Sequence, residues 1–391
     1  MQLQQPVNQK PSLVYLALSF IKLGATAFGG PAMVAYIRKM AVERNKWLDE
    51  DCFRNGVALC QTIPGATAMQ VSAYVGLRTR GIPGAIVSFV SFGVPAFVLM
   101  MVLSSLYVQT HNLPMVVSAF TGLKAIIVAI IANATISFAR TSLKSWKDII
   151  VVIIIAGLFW FRIHPFIVIL LSALLGIALH RKRPFNITKI HTTDKIYSAR
   201  FFAIVLPVIA VGFFVLFFIQ HRLFELAALM FRIDLFAFGG GFSSLPLMFH
   251  EIVNARSWMD SSTFLNGIAL GQITPGPIVI TATFIGYLMY GPLGGLVATL
   301  SIFSPSFIML VGMAPYFDRL RNSAWFNKVI TGILISFVGL LLTMTVRFAI
   351  DVHWDIPRIL LTAAAFAALL SKKVDILWVV LAGTIISILV L

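Results

Sequence analysis

Three basic residues interrupt apolar stretches of this 391-residue chain. Lys22 and Arg232 each stand six residues before a phenylalanine followed by consecutive glycines, at Phe28 and Phe238. Lys124 lies inside the apolar run TGLKAIIVAII. Charges within such runs are costly and usually face a cavity or a partner. We therefore expect these three side chains to bind an anion, although Lys22 could instead extend to a membrane interface.

Helix-breaking residues occur at four places in the apolar segments. A break frees N–H groups at the start of the next half-helix, where the macrodipole is electropositive, and glycine lets a ligand approach the backbone. The alternative is that the glycines only allow close helix packing. In register, the four breaks predict a central anion site that contains Gly29, Gly30, Pro64, Gly65, Gly239, Gly240, Gly241, Gln272, Thr274, Pro275 and Gly276.

Acidic residues are candidates for coupling to protons. Glu251, beside His250, follows the second glycine run, and the first copy has no acid at the matching position. A carboxylate in one half would suit an asymmetric proton-coupling step. The alternative for Glu251 and His250 is an exposed pair at a loop end. Asp234, two residues after Arg232, is a third coupling candidate and is expected to neutralise that arginine.

Patterns typical of enzymes and of metal or nucleotide sites do not occur. The sequence contains no HExxH, GxSxG or GxxxxGK[ST] motif, and Cys52 and Cys60 have no metal-binding spacing. We therefore expect no enzyme activity, no cofactor and no metal. Energy for any transport would come from an ion gradient, unless the flux is passive.

The composition is that of an integral membrane protein. Hydrophobic residues make up 59% and charged residues 11%, against about a quarter charged in soluble domains. The formal net charge of +16 does not point to nucleic acid, because basic residues in membrane proteins mark cytoplasmic loops. The polar first eleven residues lack the features of a secretory signal. We expect a multi-pass protein of a bacterial inner membrane, in contact with lipid.

The sequence contains an internal duplication. A shift of 210 residues places Phe28-Gly29-Gly30 on Phe238-Gly239-Gly240, and a shift of 211 places Pro64-Gly65 on Pro275-Gly276. We divide the chain into a first repeat (1–180), a basic linker with an unpaired span (181–221) and a second repeat (222–391). The apolar segments lie near 12–37, 55–77, 82–107, 114–138, 148–162 and 165–180, then 222–248, 264–289, 292–316, 325–347, 356–370 and 374–390, with 201–219 between the repeats.

Loop charges predict that the second repeat is inverted. Basic residues crowd 38–54, 78–81 and the linker 181–200, whereas in the second copy they move to other loops, at Arg319, Arg321, Lys372 and Lys373. We therefore predict an all-α membrane fold of two inverted-topology repeats. Segments 12–37 and 55–77 return to their starting side as broken, re-entrant hairpins, or the chain has thirteen straight spans instead. Either topology places the N-terminus and the linker in the cytoplasm and the C-terminus outside.

Two long stretches resemble a known family. FGGPAMVAYIRKMAVERNKWLDEDCF with QTIPGATAMQVSAYVG is similar to the first half of chromate ion transporters, and FGGGFSSLPLMFHEIV with GIALGQITPGPIVITATFIGYLMYG is similar to the second half. The resemblance covers nearly the whole chain in its long, two-domain form. It implies export of chromate, driven by protons or by exchange with an anion such as sulfate.

The sequence thus predicts a secondary antiporter that moves a tetrahedral oxyanion. A sulfate or other oxyanion carrier is the nearest alternative. An integral-membrane enzyme, a lipid-handling protein and a passive channel fit less well, because the duplicated broken helices favour alternating access. The sequence leaves the oligomeric state open, a dimer included.

Overall fold

A computed structural model of the chain describes residues 11–179, 196–317, 320, 323–371 and 374–390. In these ranges all regular structure is helical, which confirms the all-α class. The first ten residues and most of the basic linker, with Arg319, Arg321, Lys372 and Lys373, lie outside the described residues. Five helical stretches are long and apolar enough to cross a membrane, as a multi-pass protein requires: 67–110, 114–142, 201–219, 278–316 and 324–351.

Apart from one unpaired helix, the α-helices of the described ranges fall into two matching series of seven. The first series is α1 (Leu13–Thr26), α2 (Gly30–Arg38), α3 (Glu50–Thr62), α4 (Thr67–Thr110), α5 (Pro114–Ser142), α6 (Trp146–Trp160) and α7 (Pro165–Leu179). The unpaired helix is α8 (Ile196–Ile219). The second series is α9 (His221–Phe236), α10 (Ser244–Phe249), α11 (Ser261–Ile273), α12 (Thr281–Met313), α13 (Ala324–Asp351), α14 (Ile356–Leu370) and α15 (Ile376–Val390).

Local backbone conformations repeat between the two series. Gly65 and Gly276 have φ of 120° and 107°, and Gly81 and Gly291 have φ of 65° and 63°. A π-helical turn follows α2 at Lys39–Arg44, and another follows α10 at His250–Ala255. The duplication in the sequence therefore extends to the conformation of the backbone.

The chain reverses direction between α1 and α2. Tyr15, near the start of α1, donates a hydrogen bond from its hydroxyl to Asn45 Oδ1 (3.1 Å) and packs edge-on against Trp47. Both partners follow the π-helical turn, so the chain comes back to the end where α1 begins. With 14 residues α1 is only about 21 Å long, too short for a hydrocarbon core of about 30 Å.

A second hairpin joins α3 to the first part of α4. Tyr74 donates to the carbonyl oxygen of Cys52 (3.3 Å), which places residues 63–66 at the tip of this hairpin. The chain reverses again at Gly81. The evidence is the close approach of Gly76 to Gly84, since a Cβ atom on Gly76 would lie only 2.1 Å from the carbonyl oxygen of Gly84. Helix α4 is therefore two antiparallel pieces, 67–79 and 82–110. The chain therefore turns back in both segments, and their re-entrance in a membrane stays a prediction.

The long second piece of α4 defines the two ends of the molecule. At one end, Arg80 Nε donates to the carbonyl oxygen of Pro11 (2.6 Å); we call this the Arg80 end. At the other end, Asn266 Nδ2 donates to the hydroxyl of Tyr107 (2.9 Å); we call this the Tyr107 end. The loop 256–260 thus lies near the Tyr107 end, whereas its counterpart 45–49 lies near the Arg80 end.

The two series of helices interlock in one core. Helix α4 packs against α12, and α5 packs against α13. Helices α6 and α7 pack on α13, whereas α14 and α15 pack on α5, so each half covers the long helix of the other half. Helix α8 has only exposed or half-buried residues after Phe201, and it lies at the periphery against α9 and α12.

A candidate anion site at four helix breaks

The four helix breaks meet in the middle of the molecule. The amide of Gly65 donates to the carbonyl oxygen of Ala237 (2.8 Å), and the amide of Gly276 donates to the carbonyl oxygen of Ala27 (3.0 Å). Gly65 and Gly276 are equivalent positions of the two halves, and so are Ala27 and Ala237, so each bond is the counterpart of the other. Each proline–glycine break is therefore fixed to the glycine-rich break of the other half.

A cavity of about 590 Å³ leads to this junction from the Arg80 end. At its mouth are Arg38, Glu50 and Arg54, and further lining residues include Gln61, Ala66, Thr67, Phe138, Gly239, Gly240, Gly241 and Ile278. The three glycines are the part of the predicted anion site that lines this cavity. The other lining residues were not among the predicted ones.

The first turn of α4 supplies donors to this cavity. Its N-cap residue is Ala66, which has no side chain that could occupy the free N–H groups of the turn. Gly240, with φ of 104°, lies across from it, and a Cβ atom there would be 3.1 Å from Thr67 Oγ1. A helix N-terminus beside glycine backbone that lines a cavity is a suitable binding site for an oxyanion.

The charged side chains at the cavity mouth are paired with one another. Arg38 contacts Glu50 through Nη2 at 2.8 Å and Glu43 through Nη1 at 2.6 Å, and Arg54 contacts Asp51. The hydrogen bond from Arg38 lowers the pKa of Glu50. The sequence marked these arginines only as loop charges. The sequence could have indicated a role at the cavity, because both arginines lie on helices next to a break.

The equivalent region of the second half is closed. Gln61 is exposed at the cavity, whereas its counterpart Gln272 is only 8% exposed, and its Nε2 has no hydrogen-bond partner among the described residues. Val57 lines the cavity, but its counterpart Ile268 is fully buried. The cavity therefore opens at the Arg80 end of the molecule.

The predicted basic residues lie away from this cavity. Lys22 lines a separate pocket near the Arg80 end with Lys39 and Arg44. Lys124 is half-buried and donates a hydrogen bond to Ser262 Oγ at the start of α11. Arg232 lines a third pocket, with Arg256 and Trp258.

The remaining break residues shape the junction. Gly29 caps α2 with φ of 77°, and Gly30 is the first residue of that helix. Pro64 accepts a hydrogen bond from the buried side chain of Gln70. Thr274 donates to the carbonyl oxygen of Leu270, and Pro275 is buried next to it.

Glu251 and His250 form a buried cluster, so the alternative of an exposed loop-end pair is wrong. Glu251 is 1% exposed and contacts Arg232 (3.1 Å), His164 (3.2 Å) and Arg256. His250 lies beside His164, with ring centroids 5.3 Å apart. Because π-helical geometry follows α10, this acid turns inward toward α9.

Asp234 does not neutralise Arg232, contrary to the expectation from its spacing. The arginine pairs with Glu251, and Asp234 instead accepts hydrogen bonds from the amide and the hydroxyl of Ser306 on α12 (2.9 and 2.6 Å). Residues two apart on a helix point in different directions, which explains the separation. In the described ranges, no three His, Cys, Asp or Glu side chains cluster as a metal site would require.

Comparisons with known proteins agree across nearly the whole chain. A protein from Methanocaldococcus jannaschii named as an uncharacterized transporter is 43% identical over 98% of this chain and 96% of its own. The chromate transport protein of Cupriavidus metallidurans is 28% identical over 93% of this chain and 89% of its own. An uncharacterized transporter of Bacillus subtilis is 32% identical over 47% of this chain and 95% of its own.

The family assignment rests on both halves. No solved structure matches the chain. The profile of the chromate transporter family matches residues 14–177 and again residues 224–388, in agreement with the resemblance noted in the sequence. The chain therefore belongs to the chromate transporter family.

Proposed function

We propose that this protein is a secondary active transporter that exports chromate across the inner membrane by alternating access. The observation that carries the proposal is the cavity that leads from the Arg80 end to the meeting point of four helix breaks, whereas the equivalent residues Gln272 and Ile268 of the second half are buried. Relatives named as chromate transport proteins support the substrate. The breaks supply backbone donors, and the one-sided opening is what an alternating-access cycle requires.

The contacts at the two ends of α4 support an inverted relation between the halves. Loop 45–49 and its counterpart 256–260 lie at opposite ends of this helix. Five basic residues of the Arg80 end support a cytoplasmic location for it, because positive charge accumulates on that side; they are Arg38, Lys39, Arg44, Lys46 and Arg54. The cavity then opens to the cytoplasm, as an exporter that is ready to load its substrate requires.

The Glu251 cluster closes the opposite end in this proposal. Glu251 belongs to the π-helical turn that leads into loop 256–260 at the Tyr107 end. Its contacts tie α9 to the segment after α10 and to His164, which lies between α6 and α7. At the Arg80 end, Lys22 is the counterpart of Arg232 and has no acid at the position that matches Glu251. Opening the outer side would require the ion pairs of Glu251 to separate.

The binding chemistry suits a tetrahedral dianion. Chromate would sit between the first turn of α4 and Gly239–Gly241, where backbone N–H groups can donate to several oxygens. Lys22 at the inner end, with Arg232 and Lys124 at the outer end, would add positive charge along the route. Sulfate has the same shape and charge, so a sulfate or general oxyanion carrier is the second candidate.

Chromate uptake into everted membrane vesicles tests this proposal. The assay compares uptake with and without an imposed proton gradient, and with sulfate added as competitor. We expect gradient-dependent uptake that sulfate inhibits weakly. Uptake that ignores the gradient but is blocked by sulfate would indicate an oxyanion exchanger, and no uptake above that of empty vesicles would refute chromate transport.

A pair of glycine variants provides the matched control. Gly240→Val would fill the cavity next to Thr67 and force a branched side chain into a left-handed conformation, so we expect uptake to fall at least tenfold. Gly157 in α6 has open space around it, and Gly157→Ala should leave uptake unchanged. Equal uptake in both variants would place the binding site elsewhere.

A further inference from the structure

A chain of hydrogen bonds joins a buried acid to the wall of the cavity. Asp234 is fully buried, and its Oδ2 accepts from both the amide and the hydroxyl of Ser306. The same hydroxyl oxygen accepts a hydrogen bond from the amide of Ala66 (2.8 Å). Ala66 is the N-cap of α4 and lines the cavity. Thus one serine separates the carboxylate from the helix terminus proposed to bind the anion.

We call the place where such a break meets the other half a crossing. The crossing equivalent to this one lacks every member of the hydrogen-bond chain. Gly24 stands where the second half has Asp234, and Ala96 stands where it has Ser306. Pro277, which has no amide hydrogen, stands in place of Ala66. A Cβ atom on Gly24 would lie 2.3 Å from the backbone oxygen of Phe92, so no side chain fits there. The acid, the hydroxyl and the N–H donor are therefore present together or absent together.

Among the residues that the structure describes, no positive charge compensates Asp234. It forms no ion pair with any described residue, and its Oδ1 has no hydrogen-bond partner among them. Helix α9 packs on α8, α10 and α12. Helices α10 and α12 contain no Asp, Glu, His, Lys or Arg, and the titratable residues of these four helices are Tyr197 and Arg200 at the start of α8, Tyr287 and Tyr290 in α12, and His221, Arg222, Glu225 and Arg232 in α9 itself.

Two opposing effects act on this carboxyl group. Burial without a cation disfavours the charged form, whereas two hydrogen bonds donated by Ser306 favour it. Glu251, in contrast, is surrounded by the basic side chains of Arg232, Arg256 and His164. Asp148, the third buried acid of the described residues, accepts hydrogen bonds from the amides of Lys144 and Ser145 at the start of α6. Of these three acids, Asp234 is the one joined to the cavity and therefore the one suited to change its protonation state during a transport cycle.

We propose that Asp234 is the proton-binding site of the transporter, and that it controls anion binding through Ser306 and Ala66. This deepens the proposed function and rests on it. The carboxylate orients the Ser306 hydroxyl, which fixes the amide of Ala66 and with it the first turn of α4. When Asp234 takes up a proton, its carboxyl group loses its charge and becomes a weaker acceptor, so both bonds from Ser306 weaken and the turn is anchored less firmly. Proton and anion then weaken each other's binding, as proton-coupled export requires.

The first experiment measures proton binding without any substrate. Infrared difference spectra of the purified protein between high and low pH should show the C=O band of a newly protonated carboxyl group. Asp234→Asn should abolish this band, and Asp234→Glu should shift it. A band of unchanged position and size in Asp234→Asn would overturn the proposal. If Asp234→Asn does not fold, an unshifted band in Asp234→Glu would overturn it equally.

The second experiment separates proton binding from its coupling to the anion. The double variant Ala66→Pro/Ser306→Ala installs the pair found at the equivalent crossing, Pro277 and Ala96, and Gly65 has the same backbone conformation as Gly276. Because one proton competes with the anion, the affinity of the wild-type protein for chromate should decrease as the pH decreases, by up to about tenfold per pH unit. The double variant should keep the infrared band but lose this dependence. A dependence equal to that of wild type would overturn the coupling route.

The two proposals can fail separately. In proteoliposomes, Asp234→Asn should lose chromate accumulation driven by a pH gradient and retain chromate–chromate exchange. If wild-type protein moves no chromate while its infrared band still depends on Asp234, the proposed substrate is wrong and the proton site stands. Gradient-driven accumulation in Asp234→Asn at the wild-type level would refute the proton site and leave chromate transport intact.

Discussion

At the residue scale, glycines hold the breaks in conformations that other residues rarely adopt. Gly65 has φ of 120° and lies directly against Ser306 and Gln70. The left-handed region costs an L-residue about 1–2 kcal/mol, before any contact with neighbouring atoms is considered. This position therefore combines a backbone requirement with a steric one.

Gly65→Ala should destabilise the protein by roughly 1–3 kcal/mol, because the new Cβ would strain the backbone and lie 2.3 Å from Ser306 Oγ. Thermal unfolding of the detergent-purified protein measures the change. Gly157→Ala is the control, since it adds a methyl group to a helix with open space around it and should be neutral or stabilising by up to about 1 kcal/mol. Equal unfolding midpoints for the two variants would contradict the requirement at Gly65.

Sequence reasoning located the backbone requirements better than the side-chain partners. Consecutive glycines and proline–glycine pairs are visible in the sequence, and each lies at an observed break. The partner of Arg232 is Glu251, 19 residues away, and the partner of Asp234 is Ser306, 72 residues away. Spacing along one helix cannot reveal such pairs, because they depend on how separate helices pack.

At the element scale, the hairpins explain how short broken helices fit among long ones. Helices α1 and α3 have 14 and 13 residues, and each turns back at its break rather than continuing. The segment limits and the break positions could be predicted from apolar runs interrupted by glycine and proline. The bonds between breaks of different halves could not, since they arise only when the whole core has assembled.

Thiol cross-linking tests the first hairpin. In a background of Cys52→Ser and Cys60→Ala, a bifunctional thiol reagent about as long as a tyrosine side chain should cross-link the pair Tyr15→Cys/Asn45→Cys, because the Tyr15 hydroxyl reaches the side chain of Asn45. The control pair Tyr15→Cys/Leu113→Cys places its thiols toward opposite ends of the molecule and should not cross-link. The reverse result would mean that segment 12–37 runs straight.

The Glu251 cluster should stabilise closure of the Tyr107 end. Glu251→Gln removes the acid shared by Arg232 and Arg256 and should weaken closure by about 1–3 kcal/mol. Labelling of the buried Ser244→Cys from the Tyr107 side should therefore increase several-fold.

Glu225→Gln is the control for this variant, because Glu225 is an exposed residue of α9 whose described ion pair is with His221. It should leave the labelling of Ser244→Cys unchanged. If Glu251→Gln also leaves the labelling unchanged, the cluster does not act as a closure.

At the scale of the whole molecule, equivalent residues occupy different environments. Gln61 faces the open cavity while Gln272 is enclosed, although the backbones around them match. The sequence could predict the duplication, but not which of the two halves is open. That choice is a property of the conformation and not of the composition.

Cysteine labelling of this glutamine pair follows the proposed cycle. Without chromate, Gln61→Cys should react with a membrane-impermeant reagent applied at the Arg80 end, and Gln272→Cys should be protected. During transport Gln272→Cys should become reactive from the Tyr107 end, while reaction at Gln61→Cys slows. Fixed reactivity at both positions during active uptake would rule out alternating access.

The reciprocal bonds from Gly65 to Ala237 and from Gly276 to Ala27 have a consequence for gene fusion. Consider a protein of half this length that forms a dimer of two identical copies. Its two bonds of this kind would be the same bond made once by each copy, so its two crossings would be identical. Any acid placed at such a crossing would appear in both. Joining the halves in a single polypeptide removes this constraint, so that one crossing can carry Asp234 while its twin keeps Gly24. Covalent linkage thus allows two ancestral twins to diverge, one retaining a purely structural contact and the other acquiring a chemical task.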